Sequence, residues 1–200
     1  MSSLKILSYW FSRHNRKKKL KFLAVLISEQ KITSGLIVGA KPDPTSLTFD
    51  NLIEKGLVEL LPRVVISGVE KTSVFWKQWI QADGLNLSFP DHSFELVFSN
   101  AVIEHVGDEV DQQKFINEHN RVGKSWVFTT PNRLFPVESH TQLLFFHMRK
   151  GWSRGDVTRL LSKRDLKRIL PPEAKIRGHF LSPTFICYKV QDYGSRSGRL

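Results

Sequence analysis

A small set of polar residues in this chain has the types and spacing that chemistry needs. Glu70 comes just after Val64-Val65-Ile66, a β-branched run that reads as a buried strand. An acid at such a strand end can grip a ribose diol, because one carboxylate accepts hydrogen bonds from both hydroxyls. The alternative is a plain surface acid. Asp83, beside Gly84, is a second acid after the run Trp76 to Ile80. Glu104 and His105 follow the bulky run Phe94 to Phe98 and its polar end, Ser99-Asn100. A carboxylate or an imidazole beside a cleft can take a proton near neutral pH. The same two residues could instead tie a helix to neighbouring loops, and the sequence leaves open which of them does so. Asn132, Glu138 and His140 place further polar groups in one loop run, TTPNRLFPVESHT.

Strands and helices must position these groups. Leu36-Ile37-Val38-Gly39 reads as a first strand and its turn, and Leu47 to Leu61 as a helix broken by Gly56 and stopped before Pro62. Between Glu70 and Asp83 there is room for only about two helical turns, so Trp76 to Ile80 must supply most of a third strand. Asp91-His92 is a turn signal before the strand at Phe94 to Phe98. Ala101 to Val106 reads as the first turns of a helix, and Asp108 to Arg121 as a polar helix with Phe115, Ile116 and Val122 inward. Trp126 to Thr129 is the next strand. Ser162 can cap a helix over Lys163 to Leu170, and Lys175 to Leu181 with Phe185 to Val190 reads as a closing hairpin around Ser182-Pro183. Strand, small polar turn and helix together make the ligand-binding edge of an open α/β sheet.

The stretch Gln81 to Val106, QADGLNLSFPDHSFELVFSNAVIEHV, resembles the central block of class I S-adenosylmethionine (SAM) dependent methyltransferases of the type 11 family. Asp83, Gly84, Leu87, Phe89, Asp91, Ser93, Phe94, Glu95 and Val97, then Glu104-His105, carry the match. The resemblance implies an α/β, Rossmann-like fold with a mostly parallel seven-stranded sheet flanked by helices and a C-terminal antiparallel hairpin. It implies SAM as cofactor, held by Val38, Gly39 and Ala40, by Glu70, by Asp83 and Gly84 at the adenine ring, and by Asn100 and Ala101. It implies catalysis from Glu104, His105 and His140, and an acceptor pocket walled by Asn132, Glu138 and His140. It also divides the chain into a basic helical extension over 1–30, a methyltransferase domain over 31–191 and a basic tail over 192–200. Two departures stand out. Ile37 occupies the place of a usual acid, and Ala40-Lys41-Pro42-Asp43-Pro44 replaces the rest of the glycine-rich loop. Two functions therefore stay open: an enzyme methylating a small-molecule, glycan or lipid-linked acceptor, or a catalytically degenerate binding or assembly subunit. Some relatives hold a divalent cation at this helix start, but Ala101 stands where one ligand would be. Glu104, His105 and His140 would make only a weak site, and metal use stays undetermined.

Charge and composition bound the rest. The 200 residues suit one domain, with 40% apolar and 24% charged residues, as in globular chains. The single Cys187 excludes an internal disulfide. The net charge of +11 is uneven. Met1 to Lys21 holds seven Lys/Arg and no acid; Phe22 to Met148 holds ten against fifteen acids, or −5; Arg149 to Leu200 holds thirteen against four, or +9. Leu4, Leu7 and Phe11 at helical spacing, next to Arg13 to Lys21, read either as an anchor on an anionic membrane surface or as a packed helix with a charged outer face. A second helical pattern at Leu20, Leu23, Ala24 and Ile27 is expected to pack on the sheet. A nucleic-acid partner is not expected, since no aromatic-interleaved basic platform is present. The expected location is cytoplasmic, with or without membrane association.

Overall fold

The structure, a computed structural model, describes residues 3–42, 51–136 and 157–191, with side chains from residue 10 onward. Asp43, Glu138 and His140, the basic run from His147 to Gly155, and the tail from Tyr193 lie outside the described residues. In chain order the elements are α1 (Ser3–Glu29), β1 (Ser34–Val38), α2 (Leu52–Leu60), β2 (Arg63–Gly68), β3 (Trp79–Gln81), β4 (Phe94–Asn100), a 3-10 turn (Ile103–His105), α3 (Glu109–Val122), β5 (Gly123–Pro131), α4 (Lys163–Ile169), β6 (Lys175–Arg177) and β7 (Thr184–Lys189).

The seven strands form one sheet in the order β3-β2-β1-β4-β5-β7-β6. β1 to β5 are parallel, and β7 pairs antiparallel with both β5 and β6. The chain reverses its walk across the sheet between β1 and β4, the place where open α/β sheets leave a crevice at their carboxyl ends. Successive strand residues face opposite sides, and the core divides accordingly. Trp126 and Phe128 of β5 pack with Phe115, Ile116, Leu166 and Phe185 under α3 and α4. Leu96, Phe98 and Val127 pack with Leu23, Leu26, Ile27, Ile53 and Leu57 of α1 and α2 on the other face. The packing expected of Leu23 and Ile27 against the sheet is therefore present.

Four local expectations change. The two N-terminal helical patterns are one continuous helix, α1, running through the basic stretch. Gly56 does not break α2; it makes room for Leu20 of α1, whose Cδ2 would sit 2.6 Å from a Cβ there. No helix forms between β2 and β3, where the chain runs irregularly. Ala101 to Val106 is not the start of a helix: Ala101 takes φ 56°, a short 3-10 turn follows, and α3 begins only after Asp108, whose carboxylate caps Val110 and Asp111. The Ser162 cap is present, with the reciprocal bonds of a capping box to Asp165. Among the described residues no helix is long and apolar enough to cross a membrane.

Candidate functional site

Those residues singled out in the sequence that the structure describes lie toward the carboxyl edge of β1 to β5, in two zones. The first lies over β1, β2 and β3. Gly39 turns with φ +76°, and a Cβ there would come within 2.6 Å of Val102. Only glycine meets both demands without strain. The N–H groups of Gly39 and Ala40 both donate to the Ser67 carbonyl, at 2.8 and 3.0 Å. Trp76 Nε1 and Asn51 Nδ2 donate to the Lys41 carbonyl, and Ser73 Oγ donates to the Pro42 carbonyl. Lys41 and Pro42 are thus pinned by Asn51 and by the irregular segment between β2 and β3. Ile37, in place of an acid, is a buried strand residue, and its carbonyl accepts from Ser67 Oγ at 3.0 Å.

Glu70 and Asp83 are both exposed at this edge. Trp79 Nε1 holds the Glu70 backbone carbonyl at 3.0 Å, fixing the chain while leaving the carboxylate in solvent. Asp83 Oδ1 accepts from the Leu85 N–H at 2.9 Å, and the Asp83 carbonyl accepts from Asn86, so the loop carrying Gly84 is shaped by its own acid. Two exposed carboxylates and a pinned, tightly turned glycine thus share the edge where the sequence resemblance expects the cofactor.

The second zone lies over β4 and β5, and it is buried. Asn100 Oδ1 accepts from Thr129 Oγ1 at 2.7 Å and from Lys19 Nζ at 3.2 Å, while Asn100 Nδ2 donates to Glu54 Oε1 at 3.3 Å. Lys19 Nζ also donates to Thr129 Oγ1 at 3.1 Å. Lys19 comes from α1, which crosses this end of the sheet. Burial pulls its ammonium down to a pKa of about 8, against the attraction of Glu104 and Glu54. Glu104 is fully buried. Its carbonyl accepts from Thr158 and Arg159, fastening the 157–161 segment over the 3-10 turn. Its Oε2 accepts from Thr130 Oγ1 at 3.2 Å, and its Oε1 has no hydrogen-bond partner among the described residues. Burial pushes this carboxyl up to a pKa of about 6, held from rising further by hydrogen bonding, His105 and Lys19.

His105 is half-buried on the same turn. Asn132 is buried and structural in its contacts: its amide donates to the carbonyls of Phe180 and Ser182. Among the described residues no three His, Cys, Asp or Glu side chains come together as a metal site. A cavity of about 670 Å³, lined by Ser34, Arg63, Trp79, His92, Glu95 and Lys124, opens at the opposite, amino end of the strands. Its lining includes none of Glu70, Asp83 and Glu104. Lys19 and Glu54 are the members of the site that sequence reasoning passed over. In a basic run, Lys19 looked like solvated surface. Its signal is the spacing to Leu23, Leu26 and Ile27, which puts it on the inward face of the helix.

Residues 60–126 match the family model of a methyltransferase domain, of the type 11 family. No curated protein matches the chain by sequence. Solved structures with the same fold include the N-methyltransferase NodS from Bradyrhizobium japonicum WM9 with S-adenosyl-L-homocysteine, at 13% identity and a TM-score of 0.56, covering 88% of this chain and 86% of that one. Magnesium protoporphyrin IX methyltransferase from Synechocystis PCC 6803, also with S-adenosylhomocysteine, matches at 8% identity and a TM-score of 0.58, covering 88% and 83%. PH0226 protein from Pyrococcus horikoshii OT3 matches at 15% identity and a TM-score of 0.54, covering 88% and 89%.

Proposed function

We infer that this chain is a class I SAM-dependent methyltransferase, a reading supported by the domain match over residues 60–126 and by the sheet order, and that it methylates a hydroxyl or amine of a small-molecule, glycan or lipid-linked acceptor seated over β4 and β5. SAM is its cofactor, and when bound supplies an electrophilic methyl on a sulfonium that leaves as a thioether. Gly39, Glu70, Asp83 and Gly84 would hold it. One observation supports the acceptor chemistry: Glu104 Oε1 is buried without a hydrogen-bond partner among the described residues.

A buried carboxylate oxygen without a donor is costly, and an acceptor O–H or N–H would supply one. Glu104 Oε1 would accept the proton that the acceptor oxygen or nitrogen loses as it is methylated. A carboxyl with a pKa of about 6 is ionised at neutral pH, yet basic enough to share the proton. Lys19 and Thr130 hold this carboxylate's surroundings fixed, and Asn100 is fixed by Lys19, Glu54 and Thr129, so the groups need little rearrangement during transfer. His105, on the same turn, and His140 are the further candidates for proton handling. The buried network also argues for a working site. A silent subunit has no use for a desolvated acid and ammonium, which packed apolar residues would replace at a gain in stability.

The test uses methyl-labelled SAM with separated pools of small molecules, glycans and lipid-linked saccharides. Label should enter one pool with wild-type protein, and entry should fall by about a hundredfold or more with Glu104→Gln, while SAM affinity stays within about twofold. Label entering no pool, or entering equally with the variant, removes the proposed role of Glu104.

A further inference from the structure

The acceptor side of the sheet edge carries an apolar rim built from three distant stretches of chain. Phe11 of α1 stacks on Phe135, with ring centroids 6.4 Å apart and planes within 7°. The Leu134 N–H donates to Asn132 Oδ1, and the Asn132 amide donates to the carbonyls of Phe180 and Ser182. Asn15 of α1 donates to Thr184 Oγ1 of β7. These contacts bring 10–15, 132–136 and 178–184 to one place. Trp10, Phe11, Leu134, Phe180 and Leu181, all on these stretches, are between 49% and 68% exposed. Single exposed apolar residues are ordinary, but a group of large ones around one edge marks an interaction surface.

The same surroundings are basic. α1 turns Lys19, Leu23, Leu26 and Ile27 inward, which leaves His14, Lys17, Lys18 and Lys21 exposed on its outer face below Trp10. Arg133, Arg177 and His179 are exposed beside the loops of the rim. No acid occurs between Met1 and Ser28. Apolar side chains ringed by cations complement an anionic bilayer: the cations meet the headgroups, and the apolar tips enter the interface. The leucines in the rim argue for lipid over nucleic acid, since they partition into acyl chains and offer no stacking face to a base.

We propose that this rim seats the acceptor edge on an anionic lipid surface, from which the site over β4 and β5 takes its acceptor. The second half of that statement rests on the methyltransferase reading; the first does not. Co-sedimentation of the full chain with phosphatidylcholine vesicles, with and without phosphatidylglycerol, tests it. Binding should need phosphatidylglycerol and fall as salt rises. Lys17→Glu with Lys18→Glu and Lys21→Glu should weaken it by about a hundredfold. Phe180→Ser with Leu181→Ser, remote from α1 in sequence, should weaken it by about tenfold. Calorimetry with SAM, run on the same samples, shows that each variant retains its fold and cofactor site. Equal binding to neutral vesicles, full binding by the Phe180/Leu181 variant, or binding of a single-stranded oligonucleotide without vesicle binding would each overturn the proposal. Vesicle binding by a folded chain with no affinity for SAM would keep the surface and sink the methyltransferase reading instead.

Discussion

At the ends of β1, β2 and β3 the carboxylates of Glu70 and Asp83 stand in solvent while the backbone beneath them is pinned. At the ends of β4 and β5 the Glu104 carboxylate is buried, and side chains of α1, α2, β4, β5 and the 3-10 turn hold one another. The two halves of one sheet edge thus use opposite physics. The half proposed for the cofactor keeps its acids exposed, so they lose only water when a ligand arrives. The half proposed for the acceptor strips water away, so that burial pushes the Glu104 carboxyl up and the Lys19 ammonium down. Substitutions should therefore act on stability in the second zone and mainly on ligand binding in the first.

The largest effect is expected at Lys19. Lys19→Met removes a buried ammonium that attracts Glu104 and Glu54 and strips Asn100 and Thr129 of a donor. Removing one partner of a buried charge group costs about 3–5 kcal/mol, readable from urea unfolding. Adding Glu104→Gln should recover part of the loss, because the two sites are coupled. A cost near zero would mean the acceptor half is as tolerant as the cofactor half, and the contrast would fail.

Glu104 supplies the next. Its folded pKa of about 6 lies above the 4.5 of a free glutamate, so the folded state keeps this proton longer. Stability attributable to this group is greatest below pH 4.5 and is lost as pH rises through 6. The stability difference between Glu104→Gln and wild type should therefore shift in favour of the variant by about 2 kcal/mol across that window. A flat difference would show that the carboxylate is hydrated, like Glu70.

Gly39→Ala should cost less, about 1–2 kcal/mol, from a left-handed backbone and a Cβ set against Val102. Val102→Ala in the same chain should return the steric share. This is the one place where the cofactor half should respond in stability, because its backbone, unlike its acids, is packed.

Much of this was legible in the sequence for a physical reason. β4, β5 and the Ser162 helix announce themselves through local pattern: bulky runs, a turn at Asp91-His92, a capping serine. Glu70 is singled out by its strand end, and Asp83 by the resemblance of Gln81 to Val106 to the methyltransferase block. What was hidden depends on distant partners. The basic run of α1 is held on the fold by Lys19, bonded to Asn100 and Thr129, and by Leu20, set against Gly56, partners that no local window contains. Gly56 survives inside α2 because Leu20 fills the space above it. Ala101 adopts φ 56° where the Thr129 carbonyl takes its N–H, a bond set by sheet pairing, and so the expected helix is delayed. Lys19 was missed for the same reason: its burial is decided by Asn100 and Thr129, about a hundred residues away.

Glu70→Ala bears on the central claim most directly. Glu70 is exposed and its carboxylate supports no packing, so the variant should unfold like wild type. Calorimetric titration with SAM should give one site in wild type, an affinity lower by about tenfold to a hundredfold in Glu70→Ala, and no comparable loss in Glu104→Gln. No binding by folded wild type, or equal affinity in the Glu70 variant, would contradict a cofactor site over β1 to β3.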